Sequence, residues 1–228
     1  MKIKNKDILI GFEFESMVRT NQNFGDISDL IDSDYTSDGS LSRYDYDHEC
    51  LEFRSVPMVY KSERYRNYFK QLQKLVDSEV LEVNNTCGFH FHFSIKNMQE
   101  VIIRLTDHDF INGYQDSIKA NFNQLWELRS GNDYCEPIEP DDLLYQEHIT
   151  RYKLLNICAL SEHSTLENRF FGYQGRHTKP DLREFQRFVN HFISYSRDYL
   201  RNIDNRKNII NISNIKEVLK PINYQIEV

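Results

Sequence analysis

Four short segments of the chain place ionisable side chains two residues apart: Glu13 with Glu15, Glu52 with Arg54, His90 with His92, and Glu167 with Arg169. Each pair alternates with apolar or aromatic residues. In an extended strand, residues i and i+2 point to the same face, so each pair shares a side opposite a hydrophobic one. A solvated strand face usually mixes Thr, Lys and Ser. These faces instead repeat carboxylates, imidazoles and guanidiniums. If the four faces meet, their carboxylates repel one another and their pKa values rise unless cations intervene. A divalent metal is the natural counter-ion. Carboxylates with a histidine suit Mg²⁺ or Mn²⁺. Metals in such a place bridge nucleotide phosphates, and arginines beside them neutralise a phosphoryl group in transfer. Taken singly, each pair has a plainer reading: a solvated ExE face, a cross-strand salt bridge, a paired histidine. Their co-occurrence within aromatic-framed strands favours a shared site.

The elements that must position these residues follow from periodicity. Asp7 to Glu15 reads as a strand with Ile8, Ile10, Phe12 and Phe14 on one face and Gly11, Glu13 and Glu15 on the other. Glu49 to Val56 is a second strand, stopped by Pro57. Gly88 to Ile95 is a third, with Phe89, Phe91, Phe93 and Ile95 opposite His90, His92 and Ser94, and Thr165 to Phe171 is a fourth. Lys61 to Glu79 carries apolar residues at helical spacing. Asp109 to Arg129 reads as one long helix, and Arg151 to Ile157 as a further helical segment. Thr178 to Asp181 resembles a capped start to a helix bearing Phe185, Phe188, Val189, Phe192 and Tyr195. Gln22 to Arg43 and Gly131 to Asp142 read as loops. The segment from Ile209 to Val228 carries no clear signal. No repeat or linker divides the chain, so a single α+β domain over residues 1–228 is expected.

Composition narrows the classes. Among 228 residues, 15 Phe and 14 Tyr argue against disorder. A net charge of −7 argues against general nucleic-acid binding, which needs clustered Lys and Arg. No apolar run approaches a membrane span, and Glu13 and Glu15 interrupt the first apolar stretch, which argues against a secretory leader. Cys50, Cys87, Cys135 and Cys158 form no CxxC or zinc-finger spacing and read as reduced, buried thiols of a cytoplasmic protein. Abundant Asn, Ile, Lys and Tyr fit an AT-rich genome such as that of a phage or low-GC bacterium.

The ordered set Gly11-Phe12-Glu13-Phe14-Glu15, Asp38-Gly39-Ser40, Glu52-Phe53-Arg54-Ser55-Val56-Pro57, Gly88-Phe89-His90-Phe91-His92, Arg151-Tyr152-Lys153-Leu154-Leu155-Asn156 and Thr165-Leu166-Glu167-Asn168-Arg169 resembles the amidoligase family. These are ATP-dependent carboxylate–amine ligases of the glutamine synthetase and glutamate–cysteine ligase superfamily. The resemblance implies a mainly antiparallel, curved sheet flooring the active site, with helices packed on its outer face as in the glutamine synthetase catalytic domain. It implies ATP and Mg²⁺ (or Mn²⁺) as cofactors. It makes Glu13, Glu15, Glu52, His90 and Glu167 metal ligands, His90 being favoured over His92. Arg169 and Arg151 would meet phosphoryl groups, with His92 and Asn156 also on the nucleotide. Asp38, Ser40, Arg54 and Ser55 would line the substrate pocket. In the Arg151–Asn156 segment the family places a helix.

The implied reaction forms an acyl phosphate from a substrate carboxylate and ATP, which an amine then converts to an amide. Small-molecule or peptide acids and amines are the expected partners, and a homo-oligomer is compatible. Glu52, Glu49 and Asp38 are equal candidates for the base. Three other readings stand beside the ligase: a phosphotransferase on the same fold, a non-catalytic nucleotide- or metal-binding protein, and a metallohydrolase using His90 and His92.

Overall fold

The structure is a computed structural model. It describes residues 3–42, 46–96, 102, 104–139, 142, 150–173 and 179–203. The expected Thr178 cap and the Ile209–Val228 segment lie outside the described residues.

The chain builds around one long strand. β1 runs Ile8–Arg19, further than the alternation to Glu15 alone indicates, and is paired along both edges. On one edge lies β3 (His48–Ser55), succeeded by β4 (Met58–Val59); Pro57 separates the two, as expected from its missing donor. On the other edge lie β6 (Phe89–Ile95) and the short β5 (Leu81–Glu82). β2 (Ser33–Ser37) pairs with β3. β8 (Leu166–Asn168) pairs with β6, and β7 (Leu155–Asn156) with β8. The sheet order is β2-β3-β1-β6-β8-β7, and every pairing between these strands is antiparallel. The fold is α+β.

One sheet face is aromatic, as the alternation predicts. Phe12, Phe14, Phe89, Phe91 and Phe93 are fully buried. Helix α2 (Glu63–Asp77), capped by the Ser62 hydroxyl, lays Tyr65, Tyr68, Phe69 and Leu72 onto it. The last helix, Leu182–Ile203, adds Phe185, Phe188 and Phe192. Phe89 and Phe185 stack with ring centroids 3.5 Å apart and planes 11° apart. The buried apolar residues join into one cluster.

Four sequence expectations are corrected. Gln22–Arg43 is not all loop: it contains helix α1 (Phe24–Leu30), capped by Asn23, and edge strand β2. β2 is polar because its residues are largely exposed, so it shows no hydrophobic alternation. The long helix over Asp109–Arg129 is two, α3 (His108–Asn121) and α4 (Asn123–Arg129). Phe122 breaks them with φ −140° and ψ 46°, and its buried ring packs on Phe188. Arg151–Ile157 is not helical. Lys153, Leu154, Leu155 and Asn156 are consecutively buried, which no one-sided helix satisfies. Leu154 donates its N–H to the Glu136 carbonyl and β7 joins the sheet. The last strand is shorter than Thr165–Phe171 because the Asn168 side chain accepts the Phe170 N–H in place of a ladder partner. Before that strand lies α5 (Ala159–His163); the final helix is α6.

Because the Phe89–Phe185 stack ties sheet to α6, truncating Phe185 to Ala is expected to destabilise the protein by about 3–5 kcal/mol. Chemical denaturation checks this. A loss below about 1 kcal/mol would show that α6 is not part of the cooperative core.

Candidate functional site

The second face of the sheet carries the ionisable residues, and the strand register decides which meet. Residues directly opposite in an antiparallel pair point to one side. Glu13 lies opposite Arg54 on β3 and His90 on β6. Glu15 lies opposite Glu52. His92 is flanked by Gly11 and by Glu167, and Glu167 by Asn156. The four pairs singled out from sequence therefore form one continuous surface.

Two three-residue clusters emerge on it. In one, single ligand atoms of Glu13, His92 and Glu167 all lie within 4.8 Å of one another. In the other the same holds for Glu15, Asp38 and Glu52. His90 sits between them, its side chain 4 % exposed. Its Nδ1 is 3.6 Å from Glu13 and 3.8 Å from Glu167, and its Nε2 is 3.7 Å from Glu15. All three distances exceed a hydrogen bond, and Nδ1 is buried without a partner. A buried imidazole nitrogen aimed between carboxylates, without a hydrogen bond, fits a site completed by cations. Carboxylate oxygens with an imidazole are donors that divalent cations, Mn²⁺ among them, accept.

His92 is held at both ring nitrogens. Its Nδ1 is 2.9 Å from the Thr165 hydroxyl and its Nε2 2.9 Å from Glu13 Oε1. The ring thus bridges the Thr165 hydroxyl and the Glu13 carboxylate through its two nitrogens. Geometry puts His92 in the three-residue cluster and His90 between the two clusters. Asp38, expected beside substrate, stands in the second cluster; Ser40 donates to it through its N–H (2.8 Å) and hydroxyl (2.6 Å). That segment is tied down where Asn84 donates to the Ser42 carbonyl and Ser42 donates to Thr86.

Charge follows this arrangement. Burial pushes the Glu52 carboxyl up, the charges of Glu13 and Glu15 add to it, and the result is about 7. Burial also raises Glu13, but the imidazoles of His90 and His92 outweigh it and hold the carboxyl well below its usual range. Burial lowers His92, yet the Glu13 carboxylate raises it overall. Arg169 places Nη1 2.5 Å from Glu167 Oε1 and donates Nε to the Tyr134 carbonyl at 3.4 Å. Asn156 donates to the other Glu167 oxygen at 2.6 Å.

Not every expected residue joins. Arg54 lies opposite Glu13 on this face but at its half-exposed margin, 3.6 Å from Glu52 and in neither cluster. Ser55 accepts the Phe12 N–H at 2.9 Å, a structural bond. Arg151 is exposed, its guanidinium 5.0 Å from the Tyr152 ring centroid. Glu49 lies opposite Val18, on the other face, which leaves Glu52 and Asp38 as the nearby bases.

Sequence reading passed over Gly172 and Arg129, and gave Gly88 no role beyond heading its strand motif. Gly88 and Gly172 pair across the sheet. A Cβ on Gly88 would lie 2.4 Å from His90 Nε2, and one on Gly172 would lie 2.6 Å from the Arg129 guanidinium. Arg129 is 4 % exposed, and its Nε has no hydrogen-bond partner. Among the described residues no carboxylate lies within 4 Å of it. A basic residue at a helix C-terminus is common and carried no signal.

Two outcomes are expected. Gly88→Ala should weaken Mn²⁺ binding at least about tenfold while far-UV circular dichroism is unchanged, because the added methyl displaces His90. Equal affinity would remove His90 from the site. For Glu52, the unfolded carboxyl releases its proton near its ordinary 4.5 whereas the folded one holds it to about 7. The unfolded state then binds fewer protons, so stability present at low pH is lost as pH rises through this window. Metal-free wild type should lose about 2 kcal/mol relative to Glu52→Gln between those limits. Parallel denaturation curves of the two proteins would refute the shift.

Comparison of the chain with protein-family models, with curated proteins and with solved structures finds no match.

Proposed function

We propose that this protein is an ATP- and Mg²⁺-dependent carboxylate–amine ligase, forming an amide through an acyl-phosphate intermediate on a glutamine synthetase-like catalytic fold. The observation that carries the proposal is the pair of clusters, Glu13–His92–Glu167 and Glu15–Asp38–Glu52, on one sheet face with His90 between them. The arrangement supports holding two divalent ions over one floor, which is the demand of stabilising a transferring phosphoryl group.

In this reading the two clusters hold Mg²⁺ or Mn²⁺, which supply charge neutralisation for the nucleotide phosphates. The chain's own residues do the rest. Arg169, fixed by Glu167 and the Tyr134 carbonyl, presents a guanidinium to the phosphoryl group. Asn156 and Thr165 orient Glu167 and His92. The proton of the incoming ammonium would go to a carboxylate of the second cluster, Glu52 or Asp38, that is not holding an ion. Acceleration comes mainly from positioning and preset electrostatics. Arg54, half-exposed beside Glu52, is placed to meet a substrate carboxylate.

Incubation with ATP, Mg²⁺ and mixed amino acids and amines, read by mass spectrometry, should yield ADP and a mass equal to acid plus amine minus water. ADP with a phosphorylated acid alone would favour the phosphotransferase, and nucleotide-independent hydrolysis the metallohydrolase. Glu13→Gln and Glu15→Gln should each abolish ADP formation with the fold intact. Arg169→Lys should lose activity on the order of a hundredfold, since an ammonium cannot reproduce the guanidinium fork. Full activity in all three variants would overturn the assignment.

A further inference from the structure

Tyr134 and Tyr152 are unusual among the large apolar residues of the surface. Leu30, Tyr35, Tyr46 and Val56 are also exposed, but Tyr134 and Tyr152, 52 % and 36 % exposed, touch one another. Their ring centroids lie 5.8 Å apart at 81°. Arg151 lays its guanidinium against Tyr152, which extends the exposed π-surface with a cation.

The backbone beneath these rings is pinned. Glu136 donates to the Tyr152 carbonyl at 2.9 Å, and Leu154 donates back to the Glu136 carbonyl at 2.6 Å. Lys153 is locked between Glu136 at 3.0 Å and Asp142 at 2.9 Å. On the Tyr134 side, the Asn132 side chain accepts the Tyr134 N–H at 2.9 Å, and the neighbouring Cys135 is fully buried. Two hydrogen-bonded segments therefore hold two aromatic rings partly exposed at the surface.

Their position relates them to the site. Arg169 joins the two regions directly, donating Nε to the Tyr134 carbonyl and Nη1 to Glu167, a member of the metal-fitting cluster. Arg169 thus ties the backbone of the Tyr134 segment to the cluster that a phosphate chain would occupy.

We propose that this edge-to-face pair holds the aromatic base of a nucleoside triphosphate whose phosphates occupy the carboxylate clusters, one ring stacking face-on with the base and the other flanking it. The inference rests on the nucleotide use proposed above and adds a base-recognition site to it. The recognition is by π-face, so it tolerates the identity of the base: GTP binds within a few-fold of ATP, whereas tripolyphosphate, which has no base, gains nothing from the rings.

The test is calorimetric titration of the full chain with Mg²⁺–ATP and, separately, Mg²⁺–tripolyphosphate. Tyr134→Ala and Tyr152→Ala should each weaken ATP binding about tenfold and leave tripolyphosphate binding unchanged. Tyr134→Phe keeps the ring and should bind ATP like wild type. Because both rings are substantially exposed, the alanine variants are expected to fold, and an unchanged melting temperature confirms it. If the alanine variants bind ATP as wild type does, or lose both ligands equally, the platform is refuted while the clusters' role stands. If wild type binds neither ligand in the presence of Mg²⁺, the nucleotide reading itself falls, and the platform with it.

Discussion

Glu15 on β1 stands directly opposite Glu52 on β3, with Asp38 against both. Like charges in register across an antiparallel pair are destabilising. They persist here because the strands cannot slip. A shift of one residue would turn Phe12 and Phe14 out of the core and bury Glu13 and Glu15 among phenylalanines. The aromatic face therefore enforces the acidic one, and the packing of Phe12 and Phe89 against α2 and α6 is what keeps the carboxylates together. The repulsion is partly relieved by a proton on Glu52 and by the imidazoles that hold Glu13 ionised. In the proposed reading, divalent ions complete that relief.

The floor is shaped by missing atoms as much as by present ones. Gly88 and Gly172, paired on neighbouring segments, leave room for the His90 ring and the Arg129 guanidinium. Glu15 accepts the Gly88 N–H, which draws that carboxylate toward the same notch. Arg129 is buried with an unpartnered Nε beside Gly172, whose missing side chain makes room for it. The polar side chains that hold the ligand residues, Asn156 on Glu167, Thr165 on His92 and Ser40 on Asp38, come from three separate stretches of chain. A fixed constellation of this kind is what charge stabilisation without reorganisation requires.

Much of this was readable from residues alone. Strict alternation in Asp7–Glu15 and Gly88–Ile95 identified the two central strands and their faces, because a half-buried strand writes its burial with period two. Pro57 marked the end of β3, and the helical stripes of α2 and α6 were legible for the same reason. Where one-sided burial fails, so did the reading. The consecutive buried residues Lys153 to Asn156 looked helical, edge strand β2 looked like loop, and Phe122 hid a break between two helices.

The sequence by itself determined which residues share a face, since that depends only on the geometry of the extended chain. It did not determine which faces adjoin. The partition of five carboxylates into two clusters, the positions of His90 and His92 relative to them, the entry of Asp38 and the exclusion of Glu49 all depend on inter-strand register. So do Arg129 over Gly172 and the meeting of Tyr134 with Tyr152. Register is a property of pairs of distant segments, set by the packing of the opposite face, and no single segment contains it.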